Sequence, residues 1–310
     1  MPTLSKAVYE SELVQEGKLN FLGWADGDPC TDDAMQMNQY EFSKDFALRR
    51  GVIDERLSYR LAVCLDSPSS LICKQAMYQY AVAKGEVLPE GGAMLFDTYN
   101  VYGVSDDVMG EPGLSQSHAY MNRDDVMDAF HVSDSPNAGR WHFSSPLDYT
   151  KTHLACNDFP KPGEKSIVDI YQYLAPKLRN IILYTGDVDP SVDQVGNQRA
   201  VRKMGFPVLD GGEWRPWFYN RTAAPMELIK WKYAGFGEQW SLPRSDLGEQ
   251  LGGYVVSFKP NSTSAEHSFT YLTFHGSGHM VPEYKPKAAL KMFETFINDG
   301  DYAPLLQLHE

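Results

Sequence analysis

The stretch Ile181-Ile182-Leu183-Tyr184-Thr185-Gly186-Asp187-Val188-Asp189-Pro190 decides how the rest of the chain reads. Consecutive apolar residues without alternation describe a strand buried on both faces, the pattern of a sheet covered by helices. Gly186 then permits a sharp turn, which sets Asp187 at the rim where the strand ends. Helical spacing flanks the strand. Residues 166–178 carry Ile167, Ile170, Tyr171, Tyr173 and Leu174 at helical intervals, and residues 191–204 read as a second helix. Downstream, 253–258 and 268–274 read as strands. Residues 286–298 form a closing helix whose apolar face is Ala289, Leu290, Met292, Phe293 and Phe296. Strands alternating with helices predict an α/β fold on a mostly parallel sheet.

Toward the N-terminus, Leu19-Asn20-Phe21-Leu22-Gly23-Trp24 is a short apolar run followed by the turn signal Asp26-Gly27-Asp28-Pro29, so it reads as a buried strand entering a loop. The pattern then becomes helical from 34 to 84. One helix, 36–50, stops at Gly51, and another, 67–83, stops before Gly85. Residues 88–117 are loop-like, and 122–130 begin with an N-cap signal at Asn122 and an acidic first turn of Asp124 and Asp125. The expected organisation is a partial sheet core over 1–32, a mainly helical insertion over 33–160, and the remaining core over 161–310.

With 310 residues, 43% hydrophobic and 22% charged, the chain is an ordinary folded protein. A formal charge of −13 lacks the basic footprint of a general nucleic-acid binder. No apolar run approaches the ~18 residues of a membrane span, so neither nucleic acid nor membrane is an expected partner. Residues 1–6 carry no apolar signal segment, yet sequons at Asn220 and Asn261 suit a glycosylated, secreted protein. Cys64 and Cys73 are close enough in sequence for a local disulfide, and buried free thiols are the alternative. Peptide-like or other substrates, and assembly as monomer or homodimer, are left open by composition.

Two loops carry candidate chemistry. An acid after one strand, at Asp187, and a histidine after a later strand, at His279, follow the Ser…Asp…His order of α/β-hydrolases. Taken singly, Asp187 also reads as a polar-loop carboxylate ahead of the next helix, Asp189 reads as the helix-capping or loop carboxylate, and His279 as a surface loop residue. His275 and His279 have the spacing of a helical metal pair, but Gly276, Gly278 and Pro282 oppose a helix, so no metal and no cofactor is expected.

Tyr184-Thr185-Gly186-Asp187 resembles the Y-[S/A]-G-D segment of the serine carboxypeptidase family, and Gly276-Ser277-Gly278-His279-Met280-Val281-Pro282 resembles its G-x-G-H-M-V-P segment. Trp214-Arg215-Pro216-Trp217-Phe218-Tyr219, Gly252-Gly253-Tyr254 and Tyr120-Met121-Asn122-Arg123-Asp124-Asp125-Val126 are similar to further family segments, in the same order. The resemblance implies an α/β-hydrolase fold and release of C-terminal amino acids from peptides through an acyl-enzyme. It implies Asp187 orienting His279, His279 as general base and then acid, and Met280 lining the pocket of the leaving residue. It also implies a vacuolar, lysosomal or extracellular setting. An acyltransferase on the same fold, or a non-catalytic binding protein, are the alternative functions. Gly27-Asp28 departs from the family's usual Gly-Asn, and Asp26 occupies a usually apolar place.

The family's nucleophilic serine segment has no counterpart in this sequence. Gly113-Leu114-Ser115-Gln116-Ser117 lacks the second glycine of G-x-S-x-G, and Ser277 sits in the histidine loop. Met1-Pro2-Thr3-Leu4 matches the family segment that shortly follows that serine. The expectation is therefore a fold truncated at its N-terminal strands, inactive alone, and with an exposed sheet edge that favours aggregation. Expression of residues 1–310 should give poorly soluble protein; a soluble, cooperatively melting monomer contradicts this.

Overall fold

The computed structural model describes residues 1–36, 39–83, 99–102, 118–133, 141, 166–221, 229–233, 237–241, 248–260, 267–298 and 300–303. Two compact units divide the chain, one formed by residues 1–38 with 160–310 and the other by 39–159.

The first unit opens with helices α1 (Pro2–Tyr9) and α2 (Glu12–Gln15), strand β1 (Gly23–Gly27) and the single turn α3 (Asp33–Gln36). The strand expected over 19–24 begins later. Leu19 donates its N–H to Leu13 O at 2.8 Å and so belongs to the turn that closes α2, and Leu22 is exposed. Pairing with the next strand starts only at Gly23.

The second unit is helical among its described residues, with α4 (Gln39–Arg49), α5 (Glu55–Asp66), α6 (Leu71–Ala83) and α7 (Asp124–Ala129). Asp54 caps α5 by accepting from Leu57 N at 2.8 Å, and Gly51, at φ +71°, ends the turn after α4. Ala47, Ile53, Leu61, Ala76 and Tyr80 form its apolar cluster. Cys64 in α5 and Cys73 in α6 are joined, both buried. Cys30, in the first unit, is disulfide-bonded as well. Arg123, not Asn122, stands at the start of α7, without a side-chain cap. The Asn122 amide is occupied elsewhere, since it exchanges hydrogen bonds with the backbone of Trp141 at 3.0 and 2.7 Å.

The chain returns to the first unit through α8 (Val168–Leu174), β2 (Asn180–Gly186), α9 (Gln194–Lys203), β3 (Arg215–Arg221), the hairpin β4 (Ile229–Tyr233) and β5 (Gly237–Ser241), β6 (Gly248–Phe258), β7 (Ser268–Phe274), α10 (Val281–Tyr284) and α11 (Pro286–Ile297). The five-stranded sheet has the order β1-β2-β7-β6-β3. β1, β2 and β7 run parallel, and β6 and β3 extend the sheet antiparallel. Pro216, which cannot donate to a ladder, lies on β3 at the sheet's edge, where a proline is tolerated.

Ile181, Ile182 and Leu183 have no exposed surface, as their unbroken apolar run requires. Each such side chain contributes about 1.5–3 kcal/mol by leaving water. Trp217, nearly fully buried, donates Nε1–H to Thr273 O at 3.1 Å. The paired glycines 252 and 253 make room for this. A Cβ on Gly252 would meet the Trp217 ring at 2.4 Å, and Gly253, at φ +152°, leaves Thr273 O only 1.8 Å from its Cβ position. On α11 the buried side is Ala288, Ala289, Met292 and Thr295. Leu290 and Phe293, expected on that face, are exposed because the stripe contacting the sheet is shifted by part of a turn.

Both ends of the inserted segment meet at the core. Asp32 and Ser166 form an antiparallel bridge, and Ile167 donates its N–H to Thr31 O at 2.9 Å. Among the described residues, no helix is long and apolar enough to cross a membrane.

Candidate active site

β1, β2 and β7 are parallel, so their carboxyl ends share one edge, where sites of open α/β sheets gather. Asp28 follows β1, Asp187 and Asp189 follow β2, and His275 and His279 follow β7. Two acid–imidazole pairs form there. Asp187 Oδ2 lies 2.9 Å from His275 Nδ1, and its Oδ1 accepts Gly276 N–H at 2.7 Å. Asp189 Oδ2 lies 2.8 Å from His279 Nδ1.

The expected partnership of Asp187 with His279 is thus replaced by Asp189 with His279. The register explains the exchange. β2 and β7 align Gly186 with Phe274, so continuing the ladder by one residue sets Asp187 against His275. Both chains then turn, and the next acid meets the next histidine. Environment separates the pairs as well. Asp189 is fully buried and His279 is partly exposed, whereas His275 is largely solvent-facing. An exposed pair is worth little, and a buried one couples strongly.

Asp189 also does what a loop carboxylate does, since its Oδ1 accepts from Ser191 N at 2.7 Å and Val192 N at 3.2 Å. The helix cap proper is Asp193, which accepts from Val195 N and Gly196 N at 2.7 and 3.0 Å. Burial raises the Asp193 carboxyl, against those two bonds.

Gly186 lets the two loops meet. A Cβ there would lie 2.3 Å from both Ser277 O and Gly278 O, so only glycine allows the histidine loop to close on the end of β2. Asp187 N and Val188 N donate to Phe274 O and Ser277 O at 3.1 and 3.0 Å, which pins that closure. Ser277 is fully buried, and its hydroxyl donates to Gly278 O at 3.1 Å. Met280, half-buried, immediately precedes α10. Asn220 is exposed on β3, whereas Asn261 and the segment 113–117 lie outside the described residues.

Asp28 is a site residue that sequence reasoning noted only as a departure. It is 4% exposed, its backbone has φ +43°, and its Oδ1 accepts Gly186 N–H at 2.9 Å. One oxygen each of Asp28 and Asp189 and a ring nitrogen of His279 lie within 4.8 Å of one another. Burial first, and the Asp189 charge second, push the Asp28 carboxyl well above its usual range. The available signal was position, an acid at the end of a strand parallel to β2. Asp26, one turn of the pleat earlier, is buried and accepts from the Tyr171 hydroxyl at 2.9 Å. A cavity of about 750 Å³ opens at the opposite ends of β2 and β7, beside Arg179, Asn180, His267 and Ser268, away from these groups.

A parallel core with an acid and a histidine on successive strand ends defines an α/β-hydrolase scaffold. The chain belongs to the serine carboxypeptidase family, whose sequence profile matches residues 1–299. It is similar to the serine carboxypeptidase ctsa-4.1 of Caenorhabditis elegans, at 28% identity over 63% of this chain and 33% of that protein. Serine carboxypeptidase-like 33 of Arabidopsis thaliana is 24% identical over 96% of this chain and 58% of its own length. The Lysosomal protective protein of Mus musculus is 27% identical over 59% and 30%. The chain therefore spans less than two thirds of each of these relatives. A crystal structure of Kex1(delta)p, a prohormone-processing carboxypeptidase from Saccharomyces cerevisiae, superposes with a TM-score of 0.57 at 17% identity, over 96% of this chain and 59% of that one. That likeness concerns the fold.

Proposed function

We propose that this chain supplies the acid–base half of a serine-type carboxypeptidase. The contact of His279 Nδ1 with the buried Asp189 carboxylate, at 2.8 Å, carries the reading. An imidazole fixed through Nδ1 works through Nε2. In the proposed cycle His279 removes the proton of a serine hydroxyl as its oxygen bonds to the scissile carbonyl carbon. The same proton then passes to the leaving amine as the C–N bond breaks, and water releases the acyl group by the reverse route. Asp189 fixes the ring and stabilises the imidazolium without taking its proton. Met280 would border the leaving residue. The residues of this chain contribute base and acid, and an acyl-enzyme also needs a nucleophile. None of its segments matches the serine elbow.

Passage through a secretory lumen is part of the proposal. The Cys64–Cys73 disulfide suits an oxidising compartment, Asn220 is exposed at a sequon, and one relative is named as lysosomal.

A complete polypeptide carrying this chain should release the C-terminal residue of a blocked dipeptide, and His279→Ala should remove about 10⁶-fold of kcat. Preferential acyl transfer from an acyl-glucose ester would instead assign an acyltransferase. Turnover of neither substrate would assign a binding protein.

A further inference from the structure

Asp28 and Asp189 are two buried carboxyls facing one imidazole. Asp28 Oδ1 takes the Gly186 N–H, while its Oδ2 is buried with no hydrogen-bond partner among the described residues. An ionised oxygen stranded in that way is costly. Asp189 has the complementary vacancy. A carboxylate offers about four lone-pair sites, and Ser191 N, Val192 N and His279 Nδ1 fill three of them.

We propose that Asp28 holds a proton on Oδ2 and donates it to Asp189, making Asp28 a positioning residue for the Asp189–His279 pair. The inference rests on that pairing. One proton satisfies the stranded oxygen, fills the fourth site on Asp189, and removes the repulsion between two adjacent negative charges. The other ionisable groups around Asp28 leave the proton there. Tyr184 and Tyr271 face it as phenols held neutral by burial, and Asp193 lies beyond Asp189 with Arg199 as its own counter-charge. The left-handed backbone of Asp28 suits asparagine equally well, so Asp28→Asn replaces the acidic O–H by an amide N–H that does not titrate.

The sign follows from where the proton sits. A carboxyl raised in the folded state contributes stability at low pH and loses it as pH climbs above the ordinary carboxyl range of about 3.9. Asp28→Asn should match the natural chain in unfolding midpoint at about pH 4 and below. Above that it should gain over it, by up to about tenfold in the folding equilibrium constant per pH unit, for as long as the folded natural chain keeps a proton that its unfolded chain has lost. The infrared spectrum of the natural chain at pH 7 should contain a protonated-carboxyl band that Asp28→Asn removes. Parallel pH profiles, or the absence of that band in the natural chain, overturn the proposal even if the variant does not fold. Stabilisation of the natural chain, but not of Asp28→Asn, by added zinc overturns it in favour of a cation. The deshielded Nδ1–H proton resonance of His279 separates the two readings. If it is missing from both proteins, the pairing itself fails, whereas its presence with parallel profiles sinks only the shared proton.

Discussion

Asp189→Asn in a complete enzyme carrying this chain is expected to lower kcat about 10⁴-fold, the loss found when the acid of a Ser-His-Asp triad is replaced. Asp187→Asn is expected to cost less than about tenfold, near 1.4 kcal/mol of barrier. The contrast comes from burial and partner. Asp189 touches the His279 ring at 2.8 Å with no exposed surface, so the amide would favour the wrong tautomer and leave the imidazolium without its counter-charge. Asp187 serves the exposed His275 and the Gly276 N–H, so its loss loosens a loop. Steady-state kcat on a blocked dipeptide measures both variants. A larger loss at 187 than at 189 would reverse the assignment and restore the reading that the Y-[S/A]-G-D resemblance suggests.

Gly186→Ala is expected to cost about 3–4 kcal/mol of stability, at the upper end of overpacking. The added methyl would press at 2.3 Å on two consecutive carbonyl oxygens, and neither can rotate away because the loop is tied back by Val188 N and Asp187 N. Relief would require the histidine loop to lift from the end of β2 and take His279 away from Asp189. Thermal unfolding should show a melting temperature lower by on the order of 10 °C, with the His279 Nδ1–H signal lost. A variant that melts like the natural chain and keeps the signal would show that the close approach at Gly186 is not needed.

Much of this architecture was legible because burial leaves simple patterns. The 181–184 run reads as a covered strand and lies within β2, and 268–274 became β7 with the expected limits. The departures share a cause, in that tertiary partners choose among equivalent residues. The apolar run at 19–24 yielded to the ladder that begins at Gly23, and Asn122 gave its amide to Trp141 and to His118 O of the preceding helical turn instead of to the start of α7. Leu290 and Phe293 fit a helical stripe, but the sheet took Ala288 and Thr295. At the site, sequence placed an acid and a histidine on the right strand ends, and the choice between 187 and 189 required the register. The register alone sets 187 beside 275, and the 189–279 contact depends on how the two loops turn beyond the ladder. Asp28 stayed unread because its neighbour across the strand end is 161 positions away in sequence.

The bridge between Asp32 and Ser166 fastens the two roots of the inserted segment to each other, independently of anything between them. The intervening stretch is in effect a cassette: doubling its length adds only about 0.6 kcal/mol of closure entropy, and the strands that its two roots flank keep their alignment. A change of length between the roots therefore need not disturb the rim that carries Asp189 and His279.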